Sequence, residues 1–508
     1  VRHMLLTELC RICIRSPHER TSLMSFSQIL LTRDLITEDQ ADTAEKHKKT
    51  HGGSFIRSLV SLGFATREDL DRVIGEVPPM PNTVEDTGLD LQFLLNLILR
   101  SVYVTGMETQ VDIADYVKLS PVVVDQVLQD GRQNRLFEIL GTIPANGHYR
   151  YALTELGRRW ASDALQQSQY TGPAPVPLTD YHAQTSRQLI GSDPVTSKDL
   201  DDCIAHLVLP DDFGHRLGPA INSAKSILLY GASGNGKTSV AEVIGDAYQS
   251  TIFIPYCIEV DGQIITIFDP SVHRKVQNGA NGNGAEPEAG GGKADPRWAC
   301  CSRPVVLTGG ELTMEMFDLS YDPVSKYYEA PASSKATGGV FIIDDFGRQR
   351  VPARDILNRW ILPLERGIDY LTLRNGKKLR MPFDELVIFS TNFRPEDLID
   401  EALLRRIQYK FHLPPPTREA YEEIFRRVCD AHGLELPEQL VPYLMEVFYP
   451  ETGTTPSAYH PRFIVEHVIA SCDFEKTPAQ LTKELTRDAL RNVVLTEVPT
   501  SGDSLLQR

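Results

Sequence analysis

The stretch Ser226-Ile227-Leu228-Leu229-Tyr230-Gly231-Ala232-Ser233-Gly234-Asn235-Gly236-Lys237-Thr238-Ser239 decides the fold. It opens with an apolar run of strand length, and the pattern Gly-x4-Gly-Lys-Thr follows without a break, leading into helical spacing from Val240 to Ala247. Strand, glycine-rich loop and helix in that order make a phosphate cradle. The glycines let the backbone N–H groups converge on a phosphate, and the helix N-terminus adds positive partial charge. Gly231, Ala232, Ser233, Gly234, Asn235, Gly236, Lys237, Thr238 and Ser239 are therefore the candidate binding residues. Lys237 is expected to span the β- and γ-phosphates, and the Thr238 hydroxyl to ligate Mg²⁺.

Two further strands are legible downstream. Gly338-Gly339-Val340-Phe341-Ile342-Ile343-Asp344-Asp345 is a buried parallel strand that ends in paired carboxylates. Ligands of open α/β sheets sit beyond the carboxyl ends of the strands, so Asp344 is the candidate magnesium ligand and Asp345 the group that polarises the attacking water. Leu386-Val387-Ile388-Phe389-Ser390-Thr391-Asn392 repeats the pattern, with Asn392 placed to orient that water or touch the γ-phosphate.

Asp400-Glu401-Ala402-Leu403-Leu404-Arg405-Arg406-Ile407 and, later, Tyr459-His460-Pro461-Arg462-Phe463 complete the series. From about residue 195 to 490 the order resembles that of the AAA+ ATPases: Walker A, Walker B, sensor 1, arginine finger and sensor 2. That resemblance implies a P-loop α/β parallel sheet with a C-terminal helical lid, ATP and Mg²⁺ as cofactors, and a homo-oligomeric ring, expected to be a hexamer, with sites shared between subunits. Arg406 maps best to the finger that reaches a neighbouring subunit, with Arg405 the close second, and Arg462 maps to sensor 2. The family usually carries Glu where this chain has Asp345, which points to slow hydrolysis. A hairpin at Tyr370-Leu371-Thr372-Leu373-Arg374-Asn375-Gly376-Lys377-Lys378-Leu379-Arg380-Met381, signalled by Asn-Gly, resembles that of the pre-sensor-1 group, and would cluster Arg374, Lys377 and Lys378 at its tip. Tyr327 and Tyr328 are candidates either to grip a polypeptide or to pack in the core.

Ahead of this domain the chain changes character. Leu35-Ile36-Thr37-Glu38-Asp39-Gln40, with Leu59, Gly63 and Leu70, resembles the N-terminal helical domain of type II secretion and type IV pilus ATPases. The positions that bind cyclic di-GMP in some of those domains are Ser54-Phe55-Ile56 and Val77 here, so docking to a protein partner is the expectation. Pro78-Pro79-Met80-Pro81 then breaks the pattern. Three helical stretches and a hairpin ending in Tyr151-Ala152-Leu153-Thr154-Glu155-Leu156-Gly157-Arg158-Arg159 resemble a winged helix. Its third helix sets Asp125 and Asp130 against Arg132 and Arg135, so it lacks a basic footprint.

The resulting layout is an upstream-start extension at 1–24, a helical module at 25–78, a winged-helix-like domain at 82–165 and a linker at 166–194. An α/β ATPase core follows at 195–414 with a Gly- and Asn-rich surface insertion at 278–296, then a helical lid at 415–495 and a tail at 496–508. With 508 residues, 41% apolar and 24% charged, the chain has the composition of a globular protein. Its formal charge of −16 opposes generic coating of nucleic acid. The eight cysteines, including the lone Cys10/Cys13 pair, make no metal-site spacing. No window approaches the ~18 apolar residues of a spanning helix, and a cytoplasmic location without membrane insertion is expected. The function expected is ATP hydrolysis to ADP and phosphate that remodels a protein partner. The alternatives are a DNA-associated motor or transcription regulator using the winged helix, and a nucleotide-gated scaffold with little hydrolysis.

Overall fold

The computed structural model describes residues 30–31, 35–51, 55–66, 77–142, 149–248, 250–276, 288–289 and 292–493. Its centre is a five-stranded, wholly parallel sheet: β1 (Ile227–Tyr230), β2 (Val305–Thr308), β3 (Val340–Ile343), β4 (Leu386–Thr391) and β5 (Tyr409–His412). The spatial order is β2-β3-β4-β1-β5. β4 thus lies between the strand that feeds the phosphate loop and the strand that ends in two aspartates. Registers pair Thr391 with Tyr230 and Phe389 with Ile343, so the residues after β1, β3 and β4 emerge along one edge.

Every residue of β3 and β4 is buried, because helices cover both faces. Alternation sorts their side chains. Leu229, Ile342 and Ile388 pack with Leu217, Val240 and Ile244 on one face. Leu228, Phe341, Ile343 and Phe389 pack around Trp360 on the other. Behind the sheet, helices Arg418–His432, His460–Glu475 and Lys483–Arg491 and the turns between them close on a separate core that includes Tyr421, Phe425, Leu444, Ile464 and Leu490. Thr417 caps the first of these helices by accepting from the Ala420 N–H, and Gly433 ends it in the left-handed conformation. The α/β class with a C-terminal helical unit is the one expected from the sequence.

Four strands between β1 and β3, with one from ahead of β1, build a second sheet of mixed direction. Its strands, in spatial order, are Ser320–Asp322, Tyr327–Glu329, Gln263–Thr266, Cys257–Val260 and Val176–Pro177. Two sequence expectations are corrected here, on the connector and on the insertion, and two are made more definite. The stretch expected to be a mere connector contributes Val176 to this sheet and buries Tyr170, Ala174, Val176 and Tyr181. Of the two roles left open for Tyr327 and Tyr328 the structure favours packing: Tyr328 is buried and Tyr327 packs edge-on against the Tyr170 ring. Ala294 and Asp295, at the end of the expected surface insertion, are buried, and Asp295 forms an ion pair with Arg297 in which both side chains are 3% exposed; residues 277–287 and 290–291 lie outside the described residues. The Asn-Gly hairpin forms as expected between Ile368–Thr372 and Lys378–Pro382, and its tip docks on the second sheet. Arg374 lies over the Tyr321 ring at 4.7 Å, and Lys377 pairs with Asp261.

Nearer the N-terminus, helices Leu91–Thr105, Gln110–Val117 and Pro121–Gln133 precede an antiparallel hairpin, Phe137–Thr142 with Tyr149–Leu153. Their core includes Tyr170, Ala174, Cys257 and Ile264, so this unit shares buried side chains with the second sheet. Arg297 strengthens the joint by donating to the Thr87 and Pro175 carbonyls. Of the first module, helices Glu38–His51 and Phe55–Ser61 are described, with Leu30, Ile36, Ala44 and Leu59 in their core. Cys10, Cys13, Leu70 and the tail fall outside the described residues.

Candidate functional site

β1 delivers the chain into the loop at Gly231, whose carbon-bound hydrogen faces the Leu413 carbonyl; a Cβ there would stand 2.2 Å from that oxygen. Gly234 has a φ of +79°, and a Cβ on it would meet the Tyr459 ring at 2.2 Å. Glycine is required at both, by close approach at the first and by backbone conformation as well at the second. Gly236 then leads into helix Lys237–Asp246. Ala232, Ser233 and Ser239 are exposed, while Asn235 is buried, with its amide 3.5 Å from the Leu413 carbonyl oxygen.

The Lys237 ammonium donates to the Gly231 and Ala232 carbonyls at 3.1 and 2.9 Å and to Asn392 Oδ1 at 2.6 Å. Burial lowers its pKa, with Asp344 and Asp345 opposing the shift. Thr238 Oγ1 donates to the Asp344 carboxylate at 3.0–3.1 Å. Asn392 bridges the two halves of the site, its Nδ2 donating to Asp345 Oδ1 at 3.0 Å. An ammonium on one side and a carboxylate on the other leave the amide a single sensible orientation.

Asp345 is in the left-handed region at φ +49°, an uncommon conformation for a non-glycine residue. The turn that holds it is pinned at several points. Phe346 N–H donates to the Ser390 carbonyl, Thr391 Oγ1 donates to the Phe346 carbonyl, and the buried Gln349 accepts from Gly347 N–H and donates to the Asp344 carbonyl. Gln349 escapes a motif-based reading because its role depends on the turn closing, which no spacing rule announces. Ser457, which touches the phosphate loop from the C-terminal unit, escapes for the same reason, and the Tyr459 motif gives no sign that its ring packs on Gly234.

The structure thus brings Lys237, Thr238, Asp344, Asp345 and Asn392 together. The three arginines are engaged elsewhere within the subunit. Arg406 donates to Glu365 at 3.0 Å and to the Ala402 carbonyl, and its side chain is 26% exposed. Arg405 is 75% exposed and pairs with Glu401 one helical turn away. Arg462, in the first turn of helix His460–Glu475, pairs with Glu466. A cavity of about 290 Å³ opens beside helix Phe213–Asn222, lined in part by Ile204, Leu207, Leu209, Pro210 and Phe213. The Phe213 ring packs on Phe411, two residues before the Leu413 carbonyl that meets the loop. Among the described residues no group of three or more His, Cys, Asp and Glu side chains is placed to hold a metal, so a cation here would rest on Thr238, Asp344 and its ligand's own oxygens.

Residues 417–492, the C-terminal helical unit, match a family described as a domain of unknown function, DUF8689. No curated protein matches the chain. Among solved structures, the chain is similar to NtrX from Brucella abortus in complex with ADP, with 15% identity over 68% of each chain and a TM-score of 0.34. It is also similar to domain III of the replication initiation protein DnaA of Thermotoga maritima, with 12% identity over 58% of this chain and 98% of that one and a TM-score of 0.32. The RuvB Holliday junction branch migration motor of Thermotoga maritima follows at 14% identity over 53% and 61%, with a TM-score of 0.29. Superpositions this loose carry no functional argument. What the structure itself shows is an α/β fold: a five-stranded parallel sheet, a phosphate loop after β1 and a helical unit after β5.

Proposed function

We propose that the chain binds ATP with Mg²⁺ and hydrolyses it to ADP and phosphate at sites shared between subunits of a ring, using the cycle to remodel a protein partner. One observation carries this reading: Lys237, Asn392 and Asp345 form a continuous hydrogen-bonded chain, beside a Thr238–Asp344 contact of 3.0–3.1 Å. These are the groups needed to hold a triphosphate, a hard cation and an attacking water in line. Thr238 and Asp344 supply oxygen donors suited to magnesium, which when bound neutralises charge on the phosphates. Lys237 neutralises the β- and γ-phosphate oxygens and leaves its loop carbonyls to do so. Asn392, once released by Lys237, orients the water, and Asp345 accepts its proton. The cavity beside Phe213, whose lining mixes Ile204, Leu207 and Leu209 with Asp201, Asp212 and His215, offers both apolar surface and polar groups to a nucleoside base.

Arg405 and Arg406 remain the candidates for a finger on the next subunit. Arg405, with only an exposed neighbour on its own helix, is freer to reach across than Arg406. Exposed apolar side chains on the N-terminal helix and hairpin unit, including Tyr103, Val104, Val122, Leu140, Tyr149 and Trp160, favour a protein partner over a phosphate backbone. The test is steady-state phosphate release per subunit across protein concentrations, for the wild type and for Lys237→Ala, Arg405→Ala and Arg406→Ala. Turnover that rises with concentration and disappears in Lys237→Ala and in one arginine variant is the expected result. Tight ATP binding with no phosphate release above the Lys237→Ala background refutes hydrolysis and leaves a nucleotide-gated scaffold.

A further inference from the structure

The C-terminal helical unit touches the phosphate loop through a short elbow, residues 457 to 460, and the elbow is wired into that unit's core. Ser457 is 7% exposed. Its hydroxyl lies 3.2 Å from the Ser233 carbonyl oxygen and 3.2 Å from Asn235 Oδ1, so one proton is shared between two acceptors of the loop. Tyr459 covers the outer face of Gly234 between them. His460 holds the elbow in place, since its Nδ1 lies 3.3 Å from the Ser457 N–H and 2.8 Å from the Tyr449 hydroxyl.

The donors can be assigned by elimination. An amide N–H can only donate, so Nδ1 carries no proton and the ring proton is on Nε2. Burial agrees, pushing the His460 pKa down to about 4 and keeping the ring neutral. The Tyr449 hydroxyl must then donate to Nδ1, and the Tyr421 hydroxyl, 2.7 Å away, must donate to the Tyr449 oxygen. Tyr421, Tyr449 and His460 are all buried and belong to three different helices of the unit. Hydrogen bonds therefore connect the helix Arg418–His432 to the elbow, with the Tyr449 hydroxyl and the Ser457 N–H sharing the one lone pair of His460 Nδ1, and the Ser457 hydroxyl makes the separate contact onto the loop.

We infer that Ser457 is a positioning residue of the phosphate loop, held by the Tyr421–Tyr449–His460 relay, and that the C-terminal helical unit sets nucleotide affinity through it. This rests on the nucleotide-binding reading above. Ser457 touches the outside of the loop rather than the reacting groups, so its loss affects how well the loop is preformed and not the chemical step.

The experiment uses the full chain with a fluorescent ATP analogue for affinity and phosphate release for turnover, in the wild type, Ser457→Ala, Ser457→Thr, Tyr449→Phe and Lys237→Ala. Losing one such hydrogen bond is expected to weaken binding by about two- to tenfold in Ser457→Ala, with a parallel rise in KM and a kcat changed less than about twofold. Tyr449→Phe keeps the ring and removes the donor, and is expected to shift affinity in the same direction by a smaller factor. Ser457→Thr, which keeps the hydroxyl, restores wild-type affinity. Unchanged affinity in both Ser457→Ala and Tyr449→Phe, or a loss confined to kcat, overturns the inference while wild-type binding that Lys237→Ala abolishes leaves the nucleotide reading standing. A wild type that binds no analogue overturns both.

Discussion

Replacing Gly234 by alanine puts a methyl group where the structure has no room for one. The new Cβ would lie 2.2 Å from the Tyr459 ring, 2.6 Å from Ser457 Oγ and 2.9 Å from a second atom of the same ring, on a residue whose φ is +79°. The left-handed backbone alone costs an alanine about 1–2 kcal/mol. Pushing the elbow away breaks the hydrogen bonds of Ser457 to the loop, worth about 1 kcal/mol more. The sum, about 2–3 kcal/mol, falls on the binding-competent shape of the loop and predicts a loss of nucleotide affinity of about 30- to 150-fold. Titration of a fluorescent ATP analogue into Gly234→Ala measures it, with circular dichroism showing that the helices persist. In a background carrying both Ser457→Ala and Tyr459→Ala the hydroxyl and the ring are gone and the backbone strain remains, so the penalty for Gly234→Ala shrinks toward the backbone share. Affinity within about twofold of wild type in Gly234→Ala, or an equal penalty in both backgrounds, refutes the argument that the elbow packs on the loop.

Other outcomes follow from buried charge. Glu385, at the foot of β4, is buried with neither carboxyl oxygen hydrogen-bonded, and burial, with Asp384 and Asp369 adding to it, raises its pKa well above the ordinary value. Its folded pKa exceeds its unfolded one, so its contribution to stability is fully present below the unfolded value of 4.5 and is lost as pH rises from there through the folded pKa. Glu385→Gln is therefore expected to raise the melting temperature at pH 8 and to do so progressively less toward pH 4.5; a gain independent of pH contradicts this. Asp295→Ala strips the Arg297 guanidinium of its buried carboxylate and is expected to cost about 3–5 kcal/mol, seen as early proteolysis at the joint between the N-terminal unit and the second sheet. Arg405→Ala is expected to leave the melting temperature unchanged, because its pair with Glu401 is exposed, whereas Arg406→Ala lowers it by removing contacts with Glu365 and the Ala402 carbonyl.

What could be read from the chain alone was whatever consecutive residues decide. Apolar runs ending at Tyr230, Ile343 and Thr391 announce buried parallel strands, and the glycine spacing from Gly231 to Gly236 dictates a curled backbone whatever surrounds it. The Asn375-Gly376 turn likewise produces its hairpin from local geometry. Spacing along the chain says nothing, however, about which strands lie side by side. Only the tertiary order puts β4 between β1 and β3, and so sets Asn392 between Lys237 and Asp345. The Pro-rich stretch around Pro173 and Pro175 has the composition of a linker, yet it is core, because Val176 finds a partner strand that lies more than eighty residues later in the chain. Gln349 and Ser457 carry no motif, and the motif that begins at Tyr459 does not announce its contact, since their partners are carbonyls, an amide and a bare Cα hydrogen that become neighbours only after the sheet and the C-terminal unit have closed. Local periodicity and backbone sterics therefore determined the elements and the phosphate loop, while the long-range approach of surfaces, which depends on packing rather than on any fixed spacing, decided how the site is held.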